Sequence, residues 1–217
     1  MMNFKAIILD MDGTLVNTER LWKQAEKDML AAHGCTYNPE THKEFLGMAV
    51  REFIDAVREA YGLMDVSSEQ LITELNTRVK AILMTDTLPT TGAEVFVQYI
   101  VDSGIPCAIA SNSSHEIIEF TLKNQRWLDG IPMRYSSDDV PHAKPAPDLY
   151  LHVAELLGVA PQECLTVEDS LTGVRSATAA GMTCYAVPDF ELADVEAYRQ
   201  ITPHIFESLV DVLEHLR

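Results

Sequence analysis

Apolar and polar residues follow two rhythms along this chain, and the changes between them predict its elements. Short apolar runs closed by turn residues read as buried strands at Phe4–Leu9, Ile105–Ala110, Cys164–Val167 and Thr183–Val187. Weaker runs of the same kind lie at Met133–Tyr135 and Ile205–Phe206. Between the strands, a 3–4 spacing predicts helices over Gly92–Val101, His115–Leu122, Asp148–Leu157 and Leu171–Ala180. Strands that alternate with helices imply βαβ units, so the expected fold class is α/β, a parallel sheet covered on both faces.

One connection is too long for that scheme. A crossover needs about a dozen or more residues, yet Asp10 to Gly104 separates the first two strands. The surplus is helical in pattern. Val50, Phe53, Ile54, Val57, Ala60 and Tyr61 keep a 3–4 spacing, as do Leu71, Ile72, Leu75, Val79, Ile82 and Leu83. Thr41-x-x-Glu44 and Ser67-x-x-Gln70 resemble capping boxes that open helices. A further helix carries Leu21, Trp22, Ala25, Met29 and Leu30. These segments are either extra core helices of one domain or, as we prefer, an inserted bundle over 17–88, with 1–16 and 89–217 forming a discontinuous core.

Composition narrows the function. The 217 residues are 47% hydrophobic and 23% charged, in the range of a globular protein. The net charge of −17 supplies no basic surplus, which argues against nucleic-acid or anionic-membrane partners. An anionic ligand would have to be held by local devices. The N-terminal apolar run stops at Asp10, too soon for a signal peptide or a membrane span. Cys35, Cys107, Cys164 and Cys184 show no C-x-x-C pair or zinc-like spacing, and four scattered thiols fit a reducing compartment, by default the cytoplasm.

In an open parallel sheet, ligands bind beyond the carboxyl ends of the strands. Asp10 and Asp12 follow the first strand, Ser111-Asn112-Ser113-Ser114 the second, and Glu168-Asp169-Ser170 the Cys164–Val167 strand. Lys144-Pro145-Ala146-Pro147-Asp148 stands in a loop ahead of a helix. Each piece has a plainer reading: a turn at Asp12-Gly13, helix caps in the serine and acidic stretches, a surface lysine at Lys144. Their arrival in order at one sheet edge favours a site. Four carboxylates in one crevice repel one another unless a cation is present, and oxygen donors suit a hard ion such as Mg²⁺. Ser111-Asn112-Ser113 before a helix offers donors to an anion, so metal, lysine and donors together suit a phosphoryl group. Asp10 and Asp12, two apart on an extended chain, point the same way. One can attack while the other moves a proton. Gly13 lets the chain turn out of the site. His115 and His142 lie near these loops and read as surface residues.

As a set, Asp10-Met11-Asp12-Gly13-Thr14, the Ser111 turn, Lys144-Pro145-Ala146-Pro147-Asp148 and Val167-Glu168-Asp169-Ser170 resemble the four motifs of the haloacid dehalogenase-like hydrolase superfamily. The resemblance spans essentially the whole chain, and the helical insertion is similar to the cap of the β-phosphoglucomutase-like branch. It implies a Rossmann-like parallel core with an inserted α-helical cap domain. It also implies roles. Asp10 would be the nucleophile that forms an aspartyl-phosphate. Asp12 would protonate the leaving oxygen, later take a proton from water, and give its backbone carbonyl to the metal. Ser111 and the Asn112 amide would hold the phosphoryl group, and Lys144 would offset charge on nucleophile and phosphate. Asp169 would ligate Mg²⁺, with Glu168 supporting it directly or through water.

The resemblance then separates activities. Dehalogenases and phosphonoacetaldehyde hydrolases of this fold lack the second aspartate, so Asp12 speaks for phosphate chemistry on a small phosphorylated metabolite, as phosphatase or phosphomutase. The mutase branch carries a histidine and a cap lysine that couple closure to binding. Here Trp22 stands at the histidine position, although Thr18 is retained, and Thr73-Glu74-Leu75-Asn76-Thr77 has no lysine, with Lys80 following. Hydrolysis of a sugar phosphate is therefore expected. Phe45-Leu46-Gly47-Met48-Ala49-Val50-Arg51 resembles the cap loop facing the site; Arg51 could meet a second anionic or hydroxyl-rich group there or be an exposed helix arginine, and it is assigned no role. The non-enzyme readings are weaker. A receiver domain places its phosphoacceptor after a later strand, and a phosphate- or metal-binding module without turnover would normally lack one of these residues.

Overall fold

The computed structural model describes residues 4–45, 47–84 and 88–217. In chain order the elements are β1 (Ala6–Leu9), α1 (Glu19–Ala32), α2 (Pro39–Glu44), α3 (Val50–Tyr61), α4 (Ser68–Leu83), α5 (Ala93–Ser103), β2 (Cys107–Ser111) and α6 (His115–Lys123). They continue as β3 (Met133–Ser136), α7 (Asp148–Leu157), β4 (Cys164–Glu168), α8 (Leu171–Ala179), β5 (Thr183–Ala186), α9 (Val195–Arg199) and α10 (Leu209–Leu216). The strands form one sheet in the order β3-β2-β1-β4-β5, and every pairing is parallel. β1 is therefore central: the chain steps from it to β2 and β3 on one side, and the connection leaving β3 then crosses to β4 on the other. That reversal places the crevice at the end of β1.

Alternation along the strands builds two cores. Ile7, Leu9, Ile109, Leu165 and Val167 face α5, α6 and α10. Ala6, Ile8, Ala108, Ala110 and Cys164 face α7 and α8. A third core belongs to the insert. Leu21, Ala25, Met29 and Leu30 of α1 pack with Ile54 and Val57 of α3 and with Leu71, Leu75, Val79 and Leu83 of α4, closed below by Ile117 of α6. The fold is an α/β parallel core carrying an inserted α-helical cap. No described helix is long and apolar enough to cross a membrane.

Several boundaries differ from the sequence reading, each for a local reason. β2 starts at Cys107 because Pro106 has no N–H for the ladder, while its carbonyl accepts from Ile7 N at 2.9 Å. Thr41 does not open a helix. α2 begins at Pro39, whose fixed φ suits the first helical position, and Asn38 caps it by accepting from Glu40 N at 3.0 Å. Ser67 does cap α4, accepting from Gln70 N. Ile205–Phe206 is not a strand; Ile205 makes an isolated parallel bridge to Ala186. Leu46 of the expected cap loop lies outside the described residues.

Leu75 is fully buried at the centre of the insert's core. Leu75→Ala should lower stability by about 2–5 kcal/mol, read as an earlier urea midpoint. An unchanged midpoint would contradict this packing.

Candidate active site

The site grows from the carboxyl end of β1. Asp10 N donates to Val167 O at 3.0 Å, fixing the end of β1 to β4 and bringing Asp10 beside Glu168 and Asp169. The loop before α7 then threads Lys144 between the acids. Its Nζ donates to Asp10 Oδ1 at 2.7 Å, Glu168 Oε1 at 2.6 Å and Ala110 O at 2.8 Å. Lys144 is 2% exposed, and its ammonium lies 4.7 Å from the centroid of the Tyr150 ring. Burial alone would depress the Lys144 pKa, but the carboxylates of Asp10 and Glu168 outweigh it and hold the group charged, above the usual lysine range. The Tyr150 hydroxyl donates to Glu168 Oε1 at 2.6 Å, and Ser170 Oγ donates to Oε2 at 3.1 Å. Both Glu168 oxygens are thus engaged from within the core.

Asp12 sits apart from this pair. Its Oδ1 accepts from Thr18 Oγ1 at 2.8 Å and Trp22 Nε1 at 3.2 Å, and its Oδ2 accepts from Ser111 Oγ at 3.0 Å and Ser113 Oγ at 2.7 Å. Two of these donors come from the start of the insert, so the carboxylate is tethered to both layers. The Trp22 position is therefore not a simple loss of a donor, because the indole N–H reaches the acid. Asn112 is a fastener. Its Nδ2 donates to Gly47 O at 2.8 Å and Lys144 O at 3.1 Å, and its Oδ1 accepts from Lys144 N at 3.1 Å. The side-chain amide is consumed in this clasp.

Two glycines make the close approaches possible. At Gly13, φ is +83°, and a Cβ there would stand 2.0 Å from Asp169 Oδ2. At Gly173, a Cβ would meet Glu168 Oε1 at 1.8 Å. Asp169 Oδ1 accepts from Thr14 Oγ1 at 3.1 Å, and Tyr198 OH donates to the Asp169 carbonyl at 2.8 Å.

Asp10, Glu168 and Asp169 each offer an oxygen within 4.8 Å of the others. Burial raises the carboxyl pKa values of Asp10 and Asp169 well above the usual range. Lys144 pulls Asp10 back in part, while the neighbouring acids push both higher. One lysine does not balance this many carboxylates. A closely set, oxygen-only, electron-rich cluster fits a hard divalent cation.

The cluster opens into a cleft of about 560 Å³ between core and insert, a size suited to a small molecule. Asp10, Asp12, Ser111, Asn112, Lys144 and Asp169 line it, and Glu168 lies fully buried behind Lys144. Phe45, Gly47, Met48 and Val50 line it from the cap loop. Arg51 does not, pairing with Glu69 at 3.2 Å on the exposed surface. Lys80 also points elsewhere, to Glu116 of α6. His115 and His142 pair with Asp139 and Asp148. Sequence reasoning missed Tyr150 and gave Thr14 no role, while Ser113, expected as an anion donor, donates to Asp12 instead. Tyr150 alone left a signal, as a polar group on the apolar face of α7, two positions beyond Asp148.

A family model described as haloacid dehalogenase-like hydrolase matches residues 7–187. Hexitol phosphatase B of Escherichia coli (strain K12) is 29% identical over 201 residues, 88% of this chain and 90% of that protein. The bifunctional riboflavin kinase/FMN phosphatase of Arabidopsis thaliana is 30% identical over 186 residues; that match takes in 84% of this chain and 48%, about half, of the relative's length. The crystal structure of CbbY from Rhodobacter sphaeroides in complex with phosphate has a TM-score of 0.82 at 23% identity, covers 96% of both chains, and shares the fold.

The raised carboxyls carry a pH signature. A carboxyl whose folded pKa exceeds its unfolded value, about 3.9 for aspartate, keeps its proton longer in the folded chain. Stability is lost as pH rises through the folded value. A divalent cation favours the ionised forms and removes that loss. Mg²⁺ should therefore raise the melting temperature more at pH 8 than at pH 5, relative to EDTA. Equal shifts at both pH values would contradict the prediction.

Proposed function

The chain belongs to the haloacid dehalogenase-like hydrolase family and is a phosphoric monoester hydrolase, and from that premise we propose Mg²⁺-dependent hydrolysis of a small phosphate ester through an aspartyl-phosphate on Asp10. The observation that carries this reading is the placement of Asp10. It ends the central strand, is 6% exposed, lines the cleft and is held by the buried Lys144 at 2.7 Å. Residues 17–88 would act as the cap over the cleft, and the substrate would be a small phosphorylated metabolite.

Each residue has a defined task in this reading. Asp10 Oδ2 attacks phosphorus, and the bond from phosphorus to the ester oxygen breaks. Lys144 holds the other carboxylate oxygen, so the attacking one keeps a fixed direction. Ser111 Oγ and the Asn112 main-chain N–H bind the transferred oxygens. Asp12 gives its proton to the leaving oxygen and then takes one from the water that cleaves the acyl phosphate. Asp10, Asp169 and the Asp12 carbonyl would hold Mg²⁺, and Glu168 would act through Lys144 and water, since its own oxygens already serve Lys144, Tyr150 and Ser170. When bound, the cation supplies positive charge to the phosphoryl oxygens.

Hydrolysis is favoured over phosphomutase chemistry by two observations. The named phosphatase relative covers most of both chains, and Lys144 is the one lysine among the described residues that line the cleft. With β-glucose 1-phosphate and a trace of glucose 1,6-bisphosphate, free phosphate should appear without accumulation of glucose 6-phosphate. Rapid glucose 6-phosphate formation with little phosphate release would instead establish the mutase.

Asp10→Asn should fold normally and lose p-nitrophenyl phosphate turnover by roughly four or more orders of magnitude, the scale of nucleophile removal. Near wild-type turnover in a folded Asp10→Asn protein would refute the assignment. EDTA should abolish activity. Ca²⁺ should restore it poorly, because its looser coordination tolerates more ligands and lets both Asp10 oxygens bind. Equal activity with Ca²⁺ would count against the metal site.

A further inference from the structure

Lys144 is committed to Asp10 and Glu168, and the Asp12 carboxylate accepts four hydrogen bonds. The groups that distinguish one ester from another must therefore stand elsewhere in the cleft. On the insert side, one candidate is unusual. His42 of α2 lines the cleft yet is only 8% exposed, and its Nδ1 is hydrogen-bonded to Oε2 of Glu26 on α1, which is fully buried. The Tyr37 ring lies against the imidazole, with centroids 5.5 Å apart. His42 Nε2 and Glu26 Oε1 have no hydrogen-bond partner among the described residues. A buried polar atom without a partner is costly. Pinning α2 to α1 would account for the Nδ1 bond alone. It leaves the second ring nitrogen of a cleft residue unexplained.

The charges around His42 point to the kind of ligand. Glu19 of α1 and Asp189 and Asp194 from the segment after β5 line the same cleft, against Arg175 of α8. Burial and the Asp189 charge raise the Glu19 carboxyl pKa, which His42 partly offsets, so these groups feel one another. Trp22 and Phe45 add apolar surface that suits the carbon face of a polyol. A leaving group with a second phosphate would meet three carboxylates for one guanidinium. An uncharged, hydroxylated one would meet hydrogen-bonding groups.

We propose that His42, oriented by Glu26, is a specificity-determining residue whose Nε2 hydrogen-bonds a hydroxyl of an uncharged polyhydroxylated leaving group. The acids beside it select against esters that carry a second anion. Glu26 is a positioning residue that fixes the imidazole through Nδ1. The proposal rests on the hydrolase reading of Asp10.

The test compares kcat/KM for fructose 6-phosphate with that for p-nitrophenyl phosphate, whose leaving group has no aliphatic hydroxyls. Their ratio does not depend on the folded fraction of a variant. In His42→Phe the ratio should fall about tenfold, mainly through KM, the scale of one lost hydrogen bond. Glu26→Gln, which keeps an acceptor for Nδ1, should retain the ratio, and Glu26→Leu should reproduce the His42→Phe loss. The wild type should prefer fructose 6-phosphate to fructose 1,6-bisphosphate by about tenfold or more. An unchanged ratio in His42→Phe, or a preference for the bisphosphate through Arg175, would overturn the proposal while leaving hydrolysis intact. A wild type that releases no p-nitrophenol would fail the hydrolase reading itself, and the inference with it.

Discussion

One buried ammonium group organises this molecule. Lys144 sits between Asp10 and Glu168 with almost no exposure, and all three of its donors are used. Burying charges is expensive, and such a network is weak evidence for stability. What it provides is position. The arrangement requires β1 beside β4, so that Asp10 and Glu168 can share a cation, and β1 beside β2, so that the Ala110 carbonyl can complete the set. It requires Asn112 to clasp the Lys144 loop, and Gly173 to leave room for the Glu168 carboxylate. The strand order and the local sequence thus serve the same few ångströms.

The insert follows from the same constraint. An acid pair and a lysine at a sheet edge lie open to water unless something covers them, and α1, α3 and α4 form a bundle with its own apolar core. Two polar clasps fasten it over the site. Thr18 and Trp22 reach Asp12 from one side, and Gly47 O receives Asn112 from the other. The first clasp joins the insert directly to the residue proposed to move protons. The second uses a glycine with φ of +77°, where a side chain would press on Thr172.

Much of this was legible in the sequence, because short apolar strands ending in acids leave a local signal. The sheet, the surplus helices and the motif residues follow from period and spacing, and the structure gathers Asp10, Asp12, Ser111, Asn112, Lys144 and Asp169 around one cleft. What was hidden depends on contacts distant in sequence. Tyr150 reads as one more residue of an amphipathic helix until Glu168 is seen against its hydroxyl. His42 and Glu26, in different helices, have no shared motif. Trp22 seemed a missing histidine, and only the structure shows its N–H on Asp12. The start of α2 was misplaced because Asn38-Pro39 competes with Thr41 for the cap, and proline's fixed φ decides it.

In the proposed reaction Asp10, aimed by Lys144, forms a covalent bond to phosphorus. Rapid acid quench during the first turnover, followed by borohydride reduction, converts an aspartyl-phosphate to homoserine at the modified position. Peptide mass spectrometry should find homoserine at position 10 with substrate and none without it. Homoserine at another acidic residue, or complete phosphate release with unmodified Asp10 at every quench time, would contradict Asp10 as the nucleophile.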